Sequence, residues 1–523
     1  MACNRLFAAR PSGRGARAAV ALSVSGLLLL TGCGGGSGGD SGDAAGASGE
    51  DCDDTLSLAL ENTVPGWDYR QQIGSGHPWL QWRAVYDTLL KNDVENGSIL
   101  PGAAEEWSYN EDKTELTLKL RDGMTFTDGA PVDAEAAKRS LEGFRDGGGP
   151  GAVRLRGITV DVVDDLTITV TLPGPMPALL FYLGDAPGAL VSPASIDSPT
   201  MDTQPVGSGP YVLDTQNSVT GSKLLYDRNP DYWNPDDYPY DKLEILIMAD
   251  ETAQLNALAT GQIDGAEVML ASIEQAESSG SHVESFPNLM SGFFFVDRAG
   301  TNVPALGDVR VRQAINMVFD REAIVQSLWN GHGTANPQIF SPTTSGFQED
   351  LLDYYDYDVE GAKKLMEEAG YASGFDVMIP EIAGYQDEYT AITVQQLALL
   401  NIRAQVVPLP RQESLPRLTS GEFPMFVYKV PANIEVNVVA NYAAPGGAYN
   451  PYRNQDPELD ELLAEWEVAD QTDAAQIYQQ INEFLVENAW FAPFGNPDVS
   501  WAFNDCTSIT GTQGGTPPLH AFE

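Results

Sequence analysis

Basic residues are scarce. Only 29 lysines and arginines face 74 aspartates and glutamates in 523 residues, a formal charge of −45. Nucleic acid and anionic lipid reward Lys and Arg, so a direct nucleic-acid partner is excluded. An acidic surface keeps a protein dissolved and is compatible with a cationic ligand. Cysteine and histidine are equally thin, four of each. His77, His282, His332 and His520 are scattered, and neither C-x-x-C nor H-E-x-x-H occurs. That spacing offers no zinc site, and no metal or cofactor is expected. Beyond residue 30 no apolar run approaches the roughly 20 residues of a membrane span. A nucleophile elbow is missing in substance: Gly35–Gly39 matches G-x-S-x-G and Gly34–Gly39 matches G-x-G-x-x-G, but neither has the strand and helix its chemistry needs. With 74 acids, a carboxylate pair in some cleft is uninformative. A secreted hydrolase is therefore only a distant alternative, and no enzyme activity is expected.

What is present begins at the N-terminus. Arg5, Arg10, Arg14 and Arg17 precede an apolar stretch from Ala18 to Leu30. A basic segment, a short apolar core and small residues make a secretory signal. Leu30-Thr31-Gly32-Cys33 resembles the bacterial lipobox, which implies cleavage before Cys33 and lipidation of its thiol. Two or more acyl chains anchor stably where one does not. Residues 1–32 thus read as a lipoprotein signal peptide. Residues 33–51, rich in Gly and Ser, read as the lipidated cysteine and a flexible tether. The expected location is outside the cytoplasm, on the outer face of the cell membrane (the periplasmic side where an outer membrane exists), held by lipid alone. Without the four leader arginines, 25 basic residues stand against 74 acids, a formal charge of −49. Cys52 and Cys506 then remain, and two leftover thiols in an oxidising compartment are expected to pair.

Strand and helix signals alternate along the rest. Leu56–Leu60, Glu115–Leu120 and Leu166–Leu172 alternate apolar and polar residues like half-buried strands, and Leu243–Ala249 is a further strand. "HPWLQWRAVYDTLLK" reads as one helix. Asp133 and Asp250 read as N-caps, and Gly261, Gly331 and Gly370 as helix stops. Asp308–Asn330 carries one apolar stripe and predicts a single long helix. Helices over Asp358–Gly370, Glu458–Val468 and Asp473–Glu487, with a strand at "IRAQVVPL", complete an α/β or α+β pattern with several sheets.

Eight segments then fall in register with one family. They are "VYDTLL" (Val85–Leu90), "ILPGAAEEWSYNEDKTELTLKLRDGMTFTDGAPVDAEAAKRSLEGF" (Ile99–Phe144), "PVGSGPYVL" (Pro205–Leu213), "RNPDYW" (Arg228–Trp233), "LNALATGQIDGA" (Leu255–Ala266), "DVRVRQAINMVFDREAIV" (Asp308–Val325), "AKKLMEEAGY" (Ala362–Tyr371) and "DPELDELL" (Asp456–Leu463). In this order they resemble the extracytoplasmic solute-binding proteins of peptide-type ABC importers, a group that takes oligopeptides, dipeptides or nickel. The resemblance runs from about Leu56 to the C-terminus. It implies a two-lobed clamp: lobe I from 52–85, 205–302 and 483–523, an inserted subdomain at 86–204, and a contiguous lobe II at 303–482. It also implies a small solute or peptide as ligand and the permease subunits of an importer as partners.

Three stretches qualify as the ligand site, which the resemblance places between the lobes. In "SGHPWLQW", His77, Trp79 and Trp82 sit at a helix start, where backbone N–H groups meet an anionic end of a ligand; core packing of Trp82 is the competing reading. In "LMSGFFFVD", Phe294 and Phe295 are candidates, although alternation lets at most two of Phe293–Phe295 see the cleft. In "FVYKVPANIEVNVVANY" the candidates are Tyr428, Lys429, Asn433, Glu435 and Tyr442. Peptide-binding relatives usually carry an aromatic, an acid and an Asp-Pro pair here. This chain has Lys429, Asn433 and Glu435 instead, so a modified peptide, an oligosaccharide or a metal chelate stays open beside a peptide. A peptide-sensing receptor would use the same binding chemistry.

Overall fold

The computed structural model describes residues 54–72, 76–93, 97–382, 387–469, 471–511 and 516–523. The leader, Cys33, the tether and Cys52 lie outside the described residues. Among the described residues no helix is long and apolar enough to cross a membrane.

Two of the sheets are joined by the chain at two points. The first has seven strands in the spatial order His282–Phe286, Val499–Phe503, Gly265–Val268, Thr55–Leu60, Lys242–Ile247, Lys223–Arg228 and Tyr211–Leu213. Thr55–Leu60 runs parallel to both of its neighbours and is covered on both faces, so Leu58, Ala59 and Leu60 are all buried. The second sheet has four strands, ordered Gly333–Ala335, Phe491–Pro497, Leu289–Phe295 and Met425–Pro431. Its Phe294 enters one core and Phe293 with Phe295 another, as the period of two requires.

Within the stretch expected as an inserted subdomain, 86–204, lies a four-stranded antiparallel sheet, ordered Ala104–Tyr109, Glu115–Leu120, Thr167–Thr171 and Thr159–Asp164. The alternation seen in "ELTLKL" buries Leu116, Leu118 and Leu120 completely. Helix Ala134–Asp146 packs beside it, capped by Asp133, whose side chain accepts from Ala136 N over 2.8 Å.

The chain passes between the sheets at Phe286–Leu289 and Pro497–Val499. The resemblance sets the lobe boundaries at 302/303 and 482/483, whereas the chain changes sheet earlier on one pass and later on the other, since Leu289–Phe295 and Phe491–Pro497 both belong to the second sheet. Apolar strands buried on both faces carry no mark of which sheet they join.

Two expected helices are shorter than their patterns. "HPWLQWRAVYDTLLK" is helical only over Gly76–Val85, after which Leu90–Asn92 forms a strand. Gly209 N donates to Val85 O over 2.8 Å at the helix end, and a Cβ at Gly209 would lie 2.5 Å from the Val85 carbonyl carbon. A larger residue would push that contact apart. Asp308–Asn330 is two helices, Val309–Met317 and Arg321–Leu328. Asp320 interrupts the stripe by accepting from Ala323 N over 3.0 Å, an N-cap inside the pattern. The stops at Gly261, Gly331 and Gly370 all have positive φ, as chain reversal after a helix favours.

Candidate functional site

Near the crossings the two sheets present polar groups close together. From lobe I come His77, at the start of helix Gly76–Val85, Glu267 on Gly265–Val268, and Trp501 on Val499–Phe503. Glu267 and Trp501 are register partners, which sets the carboxylate beside the indole. His77 Nδ1 accepts from Glu61 N over 3.2 Å, so its proton sits on Nε2, which lies 2.7 Å from Glu267 Oε2. The imidazole meets the Trp501 ring edge-on at 6.4 Å. Glu267 is thereby aimed while its side chain keeps 39% exposure, enough to reach a ligand.

From lobe II comes Lys429, the register partner of Ser291 on the central strand. Burial lowers its ammonium pKa; the negative charge of Glu267 opposes that shift and the Arg411 guanidinium adds to it. Lys429 and Glu267 are therefore within electrostatic reach of one another although they belong to different sheets. Tyr428, next in the strand, packs on Tyr449 with ring centroids 6.1 Å apart. Asn433 follows two residues after the strand. It is fully buried, and neither its Oδ1 nor its Nδ2 has a hydrogen-bond partner among the described residues. An unpaired buried amide costs about 1–3 kcal/mol, which a ligand amide or carbonyl can offset.

Other residues singled out from the sequence sit elsewhere. Trp79 is buried beneath the Arg83 guanidinium, which stands 5.1 Å above its ring. Trp82 is fully buried, stacked on Trp67 at 6.1 Å and tilted against Tyr86 at 4.9 Å. Phe294 and Phe295 have no exposed surface and belong to the cores on opposite faces of the second sheet. Tyr442 is buried and donates its hydroxyl to Pro431 O over 2.8 Å. Glu435 opens the short helix Glu435–Val438 and accepts from Ser345 N over 2.7 Å, on the wall of a separate open cavity. The structure thus brings His77 and Lys429 into one neighbourhood and leaves Trp82, Phe294, Phe295 and Tyr442 in packed interiors.

Glu267, Trp501 and Arg411 were not legible as site residues. Glu267 is one acid among 74, adjacent to a conspicuous turn segment, and only the pairing of Gly265–Val268 with Val499–Phe503 and the reach of His77 give it a role.

Two sheets joined by paired crossings, with Glu267 of one and Lys429 of the other within electrostatic reach, fit a two-lobed solute-binding fold. The chain belongs to the bacterial extracellular solute-binding proteins, family 5, whose middle-region model matches residues 98–450. Among curated relatives, the glutathione-binding protein GsiB of Escherichia coli strain K12 is 27% identical over 321 residues, 58% of this chain and 60% of that protein. The chain thus spans less than two thirds of that relative's length. A probable peptide ABC transporter periplasmic-binding protein, y4tO of Sinorhizobium fredii, is 24% identical over 511 residues, 89% of this chain and 92% of that protein. Among solved structures, the periplasmic binding protein DppA of Helicobacter pylori in complex with the peptide STSA superposes with a TM-score of 0.74 at 22% identity, over 90% of this chain and 97% of that chain. At that identity the likeness is one of fold.

Proposed function

We propose that the protein is the capture subunit of an ABC importer, closing on a small peptide-like solute and handing it to the permease. The observation that carries this reading is the meeting of His77–Glu267 from one lobe with Lys429 from the other, beside the two crossings. A ligand that touches both sets favours the closed form, which is how a clamp of this kind senses its cargo. Lys429 and Arg411 suit a ligand carboxylate. Glu267 suits an amine or hydroxyl, and Asn433 a peptide group. The peptide and glutathione named for the related proteins support a peptide-like ligand. On this reading Trp82, Phe294, Phe295 and Tyr442 serve packing, and the ligand set narrows to His77, Glu267, Tyr428, Lys429 and Asn433.

The protein is secreted, cleaved before Cys33 and lipid-anchored, which keeps it at high effective concentration beside its permease. Cys506 pairs with Cys52. The topology supports this bridge: Val499–Phe503 runs antiparallel to Gly265–Val268, itself parallel to Thr55–Leu60, so residues after Phe503 return toward the level of Thr55. Asp241 N donates to Asp54 O over 2.7 Å and Tyr240 OH lies 3.5 Å from Thr507 Oγ1, which ties both chain ends to one turn.

Native mass spectrometry of protein purified undenatured from its own host tests the function. A retained peptide mass supports the reading, and a retained oligosaccharide or metal chelate overturns the peptide-like class. For an empty protein, a thermal-shift panel of the same three classes decides: stabilisation by peptides supports the reading and stabilisation by another class alone overturns it.

A further inference from the structure

An open cavity of about 810 Å³ lies between the inserted subdomain and lobe II. It shares no lining residue with the His77–Glu267–Lys429 neighbourhood. Its volume is that of a small-molecule site. Trp107 and Tyr109 line it from strand Ala104–Tyr109, on one face by the period of two. Trp466 and Tyr478 line it from two lobe II helices, and the Trp466 indole N–H donates to the Tyr478 hydroxyl over 3.3 Å, which fixes both rings.

The charge of the lining is lopsided. Glu111, Glu435 and Glu467 face a single lysine, Lys113. Glu435 is oriented by its bond from Ser345 N. Burial raises the pKa of the Glu467 carboxyl, so a cation arriving beside it regains favourable charge pairing. Lys113 already stands 5.4 Å from the Tyr109 ring centroid, which shows a wall ring presenting its face to a cation. Fixed aromatic faces with carboxylates between them are complementary to a flat or extended organic cation, and unsuited to an anion.

We propose that this cavity is an outer subsite for a guanidinium- or ammonium-bearing group, such as the side chain of a basic peptide residue. The wall comes from both the inserted subdomain and lobe II, so filling it ties them together and favours closure independently of the His77–Glu267–Lys429 neighbourhood. The strongly acidic chain supplies the long-range attraction that brings such a group in.

The test uses N-acetyl-L-arginine amide and N-acetyl-L-citrulline amide, which differ in the side-chain charge alone, titrated into the purified protein by calorimetry. The arginine probe is expected to bind about tenfold tighter, the scale of a charge-assisted contact. The double substitution Glu435→Gln, Glu467→Gln is expected to bring the two probes within about twofold, since each amide keeps the shape and removes the charge. Trp107→Ala is expected to weaken both probes. A preference set by Glu267 would survive the double substitution, so the same comparison separates failure of this proposal, which rests on the proposed function, from failure of the His77–Glu267–Lys429 assignment. Equal affinity for the two probes, no binding of either at millimolar concentration, or a preference that survives the double substitution would each overturn the proposal.

Discussion

His77 Nε2 lies 2.7 Å from Glu267 Oε2, joining a helix start to a strand 190 positions away in the chain. The bond holds a partly exposed carboxylate within electrostatic reach of Lys429 on the second sheet. Glu267→Gln is expected to weaken the ligand retained from the host about 10–100-fold, the range for a lost charge-assisted contact. His77→Gln should show a smaller loss. Calorimetric titration decides, and affinity within twofold of wild type for both would move the site elsewhere.

Lys429 behaves oppositely toward binding and stability. Burial disfavours its charge in the folded protein. Lys429→Met is therefore expected to leave the ligand-free melting temperature unchanged or raised, while affinity for a carboxylate-bearing ligand falls about tenfold or more. A large loss of stability with intact affinity would show Lys429 to be structural.

Asp185 and His520 give the acid response two opposing slopes. Burial raises the Asp185 carboxyl to about 6, against the opposing charges of Arg154 and Arg83. Between about pH 4 and 6 the folded state then binds the extra proton, so this group adds stability as pH falls and costs stability at pH 7. Asp185→Asn is expected to add about 2–3 kcal/mol at pH 7, a gain that vanishes below about pH 4. Urea titrations at both pH values check it.

His520 is held neutral, its pKa lowered to about 3 by burial and by Lys91 and Arg83. Below about pH 6.5 the unfolded chain takes a proton the fold refuses, so stability falls on acidification. His520→Gln should remove that loss, leaving stability at pH 4.5 about 2–3 kcal/mol higher, relative to pH 6.5, than in the wild type. The wild type, carrying both groups, should show a shallower profile than either variant.

Cys506→Ser is expected to destabilise the mature protein by about 2–4 kcal/mol. Thiol counting under denaturing, non-reducing conditions should find no free thiol in the unlipidated wild-type domain from Cys52 onward and one in the variant. Two free thiols in the wild-type domain would refute the bridge.

Local signals were the most legible part of the sequence. "ELTLKL", the caps at Asp133 and Asp250, and the glycine stops depend on neighbours a few residues away, and all appear in the structure. One misreading arose where a distant contact decides: Val85 ends its helix where Gly209 reaches its carbonyl. The other was local, since Asp320 caps a second helix inside what reads as one apolar stripe. The candidate site shows the same division. Lys429 stood out because it lies where peptide-binding relatives carry an aromatic, an acid and an Asp-Pro pair. Glu267 did not, since its importance depends on two strands meeting from opposite ends of the chain.

The paired crossings also bear on how the protein melts. His282–Phe286 pairs with Val499–Phe503, and Leu289–Phe295 with Phe491–Pro497, so one antiparallel ribbon threads both sheets while the large cores stay on their own sides. A ribbon transmits twist readily but little cooperativity. Without ligand the halves are free to lose order at separate temperatures; with ligand clasped between them they should melt as one. The sharpness of the heat-capacity peak, more than its position, would then report whether the clamp is loaded.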